Sequence, residues 1–121
     1  MADEIDERTD DTIGWQDFER VALVVGTVIG VEPFPEARKP AWKLQIDFGA
    51  TIGTRRSSAQ ITELYDREAL LGRQVQAVIN FPPKRIGPFL SECLVTGVAR
   101  EDGAIVLMGP DTAVPDGTRL G

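Results

Sequence analysis

The stretch Trp42-Lys43-Leu44-Gln45-Ile46-Asp47-Phe48 alternates apolar and polar residues at every position, and that period of two decides the fold. Side chains of a strand point to opposite faces in turn, so the stretch predicts a half-buried strand with Trp42, Leu44, Ile46 and Phe48 inward. Upstream, Val21–Val31 is rich in β-branched residues and contains Gly26 and Gly30. Glycine inside a strand marks a bend or bulge, which a tightly coiled barrel requires. Between these two strands, residues 32–41 hold Pro33, Pro35 and Pro40 and read as a loop.

Downstream, Gly49 to Gly53 reads as a turn into a third strand around Thr54–Ser58. Ile61, Leu64, Tyr65, Ala69 and Leu70 follow a helical spacing, with Gly72 as the stop. Gln74–Phe81 is a further strand, ended by Pro82-Pro83, and Phe89–Val98 is the next. Ala104–Met108 is a last apolar strand after the Asp102-Gly103 turn, and Pro115-Asp116-Gly117 makes a closing turn. Before the first strand, Gly14–Arg20 forms one helical turn with Trp15 and Phe18 on the same side. About five short strands with one short helix between the third and fourth predict an all-β, five-stranded OB-fold barrel with small flanking segments. A β-sandwich would need more strands, and a doubly wound α/β fold several helices.

The length of 121 residues suits one domain. The net charge of −6 is unevenly placed. Residues 1–12 carry six acids against one base, or −5, which leaves −1 for residues 13–121. The expected organisation is an acidic, disordered tail over 1–12 and a single domain over 13–121, since such a tail buries too little surface to offset its ordering entropy. No apolar run approaches the roughly 18–20 residues that cross a bilayer, so no membrane insertion is expected. The acidic start is unlike a signal peptide, and the lone Cys93 suits a reducing cytoplasm.

The chain has no histidine, which excludes a Ser-His-Asp or Cys-His arrangement and imidazole acid–base chemistry. It has no cysteine pair and no glycine-rich phosphate loop. Ser57 and Ser58 have no base near them in sequence to activate a hydroxyl, and Cys93 reads as a small core residue. No enzyme, cofactor or metal is therefore expected. The positive signal is a cluster of cations. Arg38, Lys39, Lys43, Arg55 and Arg56 against Asp47 give +4 over residues 38–56, and Lys84-Arg85 stand beside Phe81 and Phe89. In an OB barrel the second and third strands and their loops form the ligand face. Cations and aromatics interleaved there suit an extended peptide or a single-stranded nucleic acid, although solvated strand edges carry the same residues against edge pairing.

Six motifs together carry a resemblance: Pro35-Glu36-Ala37-Arg38, Lys43 to Gly49, Ser57-Ser58-Ala59-Gln60-Ile61-Thr62, Asn80-Phe81-Pro82-Pro83-Lys84-Arg85-Ile86, Ser91-Glu92-Cys93-Leu94-Val95 and Val114-Pro115-Asp116-Gly117-Thr118. In order and spacing, from about Phe18 to Gly121, the chain resembles the CsaA-type secretion chaperones. That family is similar to the tRNA-binding domains appended to methionyl-tRNA synthetases and to the start of bacterial phenylalanyl-tRNA synthetase beta chains. The resemblance implies an OB-fold homodimer that binds unfolded presecretory polypeptides, or alternatively tRNA. It also implies a ligand face of Arg38, Ser57, Ser58, Gln60, Asn80, Arg85, Ser91 and Glu92. Charge and position add Lys39 and Lys84. After Arg85 the synthetase-appended domains run through an Arg-Gly-Val-like turn, whereas here Ile86-Gly87-Pro88-Phe89-Leu90 is apolar. This departure puts Phe89 and Leu90 at the rim and favours a peptide groove. Ala104–Met108, Val114–Leu120 and the Trp15/Phe18 turn are the expected dimer contacts.

Overall fold

A computed structural model describes residues 11–121; most of the expected acidic tail, residues 1–10, lies outside the described residues. The elements in order are α1 (Trp15–Glu19), β1 (Leu23–Pro33), β2 (Trp42–Asp47), α2 (Gly49–Ile52), β3 (Thr54–Ala59), α3 (Arg67–Leu70), β4 (Gln74–Val78), β5 (Lys84–Ile86), β6 (Phe89–Ser91), β7 (Leu94–Val95), β8 (Gly97–Ala99) and β9 (Ile105–Leu107). An antiparallel five-stranded sheet runs β3-β2-β1-β4-β7, and β5–β6 and β8–β9 are separate hairpins.

The predicted alternation of β2 holds. Leu44, Ile46 and Phe48 are buried in the main core with Val24, Val28, Leu70, Val75 and Ala77. Trp42 is half-buried, and its indole N–H donates to the Tyr65 carbonyl at 2.9 Å. Gly26 is needed where β1 crosses this strand, since a Cβ there would lie 2.6 Å from Phe48 Cδ1. The register of β1 on β2 shifts between Val28 and Gly30, the bulge that lets so long a strand coil around the barrel.

The sheet curls into a nearly closed OB barrel because its two outer strands, β3 and β7, meet. The seam is made by side chains and by the segment just before β7. The Ser57 hydroxyl donates to the Cys93 carbonyl at 2.9 Å, and the Ser58 N–H to the Ser91 hydroxyl at 3.1 Å. The Arg56 N–H donates to the Glu92 carboxylate at 2.9 Å, and the Glu92 N–H to the Arg56 carbonyl at 2.7 Å. On the edge of β1 that β2 leaves uncovered, the last residues lie as an added strand. Val25 N–H donates to Thr118 O, and Gly117 and Leu120 N–H donate to Val25 O and Leu23 O, each at 2.8 Å. Asp116 fixes the approach, accepting from the Thr27 hydroxyl at 2.6 Å and the Gln74 amide at 3.2 Å.

Three local expectations are corrected. The helical spacing of residues 61–70 yields only α3, because the Asp66 carboxylate caps it by accepting the Ala69 N–H at 2.8 Å and so fixes a late start. The stretch Phe89–Val98 is three short strands, β6, β7 and β8, since the chain must leave the hairpin, close the seam and leave again. The turn at residues 49–53 contains a helical turn, α2, ended by Gly53 at φ 84°.

Candidate ligand-binding face

Two depressions lie on either side of the seam, and each is built from a different chemistry. The first lies on the outer face of β1, β2 and β3. Lys43 and Gln45 alternate with the inward Leu44 and Ile46, so they point out; cross-strand pairing sets Lys43 opposite Ser58 and Gln45 opposite Arg56. Over this face the loop after β1 packs on the β5–β6 hairpin. Phe34, Ala41 and Phe89 form a small buried cluster of their own, with Ala37 and Ile86 against it. The Phe34 and Phe89 rings lie 5.3 Å apart and tilted by 59°, a favourable edge-to-face relation. The Lys43 ammonium stands 5.6 Å from the Phe34 ring centre and 5.9 Å from that of Phe89, and the Arg56 guanidinium 5.2 Å from Phe89. Gly30, Glu32, Lys43, Gln45, Arg56 and Phe89 surround a hollow of about 240 Å³.

The second depression is a larger groove of about 530 Å³ along β3, the β5–β6 hairpin and β7. Its walls are apolar at Phe81, Pro82, Ile86 and Leu94, with Ser58, Gln60, Lys84 and Ser91 among them. Phe81 is 54% exposed, and a large apolar side chain left half in water beside Leu94 marks a surface suited to a partner.

Of the residues expected on the face, Ser58, Gln60, Lys84 and Ser91 come together in the groove. Glu92 stands at the seam, its carboxylate 3.7 Å from Arg56 Nε. Ser57 is 1% exposed, with its hydroxyl engaged by Cys93. Asn80 ties the start of β1, accepting the Ala22 N–H at 3.0 Å and donating to the Arg20 carbonyl at 2.7 Å. Arg38 and Lys39, in the loop before β2, and Arg85, on the hairpin, are exposed and line neither depression. Phe89 is not at the rim: it is 7% exposed, covered by Lys43 and Arg56, and forms part of the hollow's floor. Leu90 is half-buried. Lys43 and Arg56, cations outside the expected face, line the hollow together with Gly30, and Phe34 packs beside it; the outward phase of β2 is the signal for Lys43. Arg55, counted with them, donates to the Ile79 carbonyl at 3.0 Å.

Cys93 lies under the seam, and burial pushes its thiol up from 9.0 to about 11, against the opposing pull of the Ser57 hydroxyl and Arg55. A thiol so raised is neutral at physiological pH and a poor nucleophile. Among the described residues no group of three or more acidic, histidine or cysteine side chains could hold a metal ion.

Residues 23–119 match the family model described as "Putative tRNA binding domain". The chain is 47% identical to the chaperone CsaA of Bacillus anthracis, with a TM-score of 0.85 over 91% of this chain and 99% of that one. It is 44% identical to the CsaA chaperone protein of Picrophilus torridus, with a TM-score of 0.84 over 91% of this chain and 100% of that one. It is also 36% identical over 115 residues, 95% of this chain, to a methionine–tRNA ligase of Rhodopirellula baltica. The chain spans only 17% of that ligase's length, and 15% of the Porphyromonas gingivalis ligase's.

Proposed function

We propose, from the premise that this chain belongs to the tRNA-binding-domain family and is closely similar to CsaA chaperones, that it is a non-enzymatic protein-export chaperone. Its clients are unfolded presecretory polypeptides, and they lie in the groove beside Phe81. The observation that carries this reading is the groove itself: exposed Phe81 and Leu94 beside Ile86, fringed by Lys84, Ser58, Gln60 and Ser91. An extended peptide needs apolar pockets for alternate side chains and polar groups for its backbone. Binding of a fluorescent unfolded presecretory polypeptide to Phe81→Ser tests it. Loss of an apolar anchor at such a contact weakens binding about tenfold, with circular dichroism unchanged because Phe81 lies outside the core. Equal affinity for the folded variant would remove the groove from the function.

The second reading is tRNA binding, the property named by the family. The exposed Arg38, Lys39, Lys84 and Arg85 support it as phosphate contacts. A homodimer serves both readings by presenting two sites to one long ligand. Trp15, 82% exposed, with Phe18 and Leu120 around one surface hollow, is the apolar surface for that contact. A monomer mass by light scattering across micromolar concentrations would exclude it. One domain over residues 13–121 acting in the cytoplasm completes the proposal. No helix among the described residues is long and apolar enough to cross a membrane.

A further inference from the structure

The hollow between β2 and the hairpin has a chemistry the peptide groove lacks. Its floor is Phe89, overlain by the Arg56 guanidinium at 5.2 Å, and the Lys43 ammonium stands beside the same ring. Arg56 is held from behind. Its N–H and carbonyl are bonded to Glu92, whose carboxylate lies 3.7 Å from the guanidinium Nε. The Arg56 side chain is still 45% exposed, so it retains a surface for a ligand. Lys43 makes no ion pair among the described residues, although Glu32 faces it across the β1–β2 ladder. Gly30 lines the hollow, and a Cβ there would lie 3.0 Å from Gln45 Oε1.

We propose that this hollow is a subsite for one unpaired nucleotide of an RNA: the base lies on the Arg56 guanidinium, Lys43 meets the adjoining phosphate, and Gln45 and Glu32 meet the base edge. Unstacked bases are held on guanidinium planes and aromatic rings in this way. The mixture of two cations with the Glu32 carboxylate suits a ligand that brings both amino donors and a phosphate. Glu92 is a positioning residue, since it fixes Arg56 without lining the hollow. The proposal rests on the tRNA reading and gives that ligand a place distinct from the peptide groove.

The test uses the full chain, a short oligoadenylate, bulk tRNA and an unfolded polypeptide. Arg56→Lys keeps the charge and loses the plane, so oligoadenylate binding should fall about fivefold or more while its salt slope stays unchanged. Lys43→Ala should instead reduce that slope by about 0.7 units. Neither change should alter polypeptide binding. In the parent protein, oligoadenylate should also shift the Arg56 Nε–H resonance, a readout that needs no variant to fold. Oligoadenylate binding unaffected by Arg56→Lys, an unmoved Arg56 resonance, or an equal loss of polypeptide affinity would each overturn the subsite. If tRNA binds the parent while any of these holds, tRNA binding survives and only the subsite falls; if neither RNA binds, both fall.

Discussion

Arg56 and Glu92 hold each other reciprocally across the barrel seam: the Arg56 N–H donates to the Glu92 carboxylate at 2.9 Å, and the Glu92 N–H donates to the Arg56 carbonyl at 2.7 Å. One of these two bonds uses a side chain in place of a strand's carbonyl. The closure of the barrel and the charge on its outer face therefore depend on the same carboxylate.

Replacing Glu92 should separate these two effects. Glu92→Ala removes the acceptor for the Arg56 N–H and should cost about 1 kcal/mol in urea unfolding. Glu92→Gln keeps an oxygen acceptor and loses the charge, so stability should change by less than that. With one negative charge gone beside Arg56, affinity for polyanions should rise at low salt. A Gln variant as unstable as the Ala variant would mean that charge, not the hydrogen bond, holds the seam.

Ser57 should be a residue of stability. Its buried hydroxyl satisfies the Cys93 carbonyl, and Ser57→Ala leaves that carbonyl without its partner, at about 1–3 kcal/mol. Chemical denaturation measures the loss. Polypeptide and tRNA affinities of the folded variant should match those of the parent, and a specific loss of binding would return Ser57 to the ligand face.

The Cys93 thiol predicts an alkaline limit. Its value in the fold, about 11, lies above the 9.0 of a free thiol, so the unfolded chain gives up its proton first as pH rises. The stabilisation is whole below about 9 and is lost between there and about 11. Unfolding free energies of the parent and of Cys93→Ala across that window should converge as pH rises. Parallel curves would show that the thiol keeps its proton equally in both states.

Arg38→Ala together with Arg85→Ala removes two exposed charges from the loop before β2 and the hairpin after β4. If both meet phosphates, tRNA binding should weaken and its salt slope should shrink by up to about two units. Titration at several salt concentrations gives the slope. An unchanged slope would place tRNA elsewhere on the molecule.

The strand phase was legible because it is local: the alternation from Trp42 to Phe48 states which side chains enter the core, and Leu44, Ile46 and Phe48 do so. The motifs from Ser57 to Gln60 and from Asn80 to Glu92 bring four of their residues, Ser58, Gln60, Lys84 and Ser91, into one groove. The burial of Ser57 was not legible, since its partner Cys93 lies 36 residues away and becomes its neighbour only when the sheet curls shut. Phe89 misled for a related reason. An apolar residue after a run of prolines and cations reads as exposed, but Phe34 supplies a ring to pack on, and Lys43 and Arg56 cover the pair. Asn80 belonged to a family motif, yet its amide serves the two backbone groups at the start of β1.

The strand added by the last residues also sets a timetable. β1 leaves the ribosome well before residues 117–120, yet its open edge at Leu23 and Val25 is completed only by Gly117, Thr118 and Leu120. A contact between residues so far apart in sequence must wait until residues 117–120 have been made. Until then the outer edge of β1 stays exposed to neighbouring nascent chains, even though the seam between residues 56–58 and 91–93 needs nothing from residues 117–120.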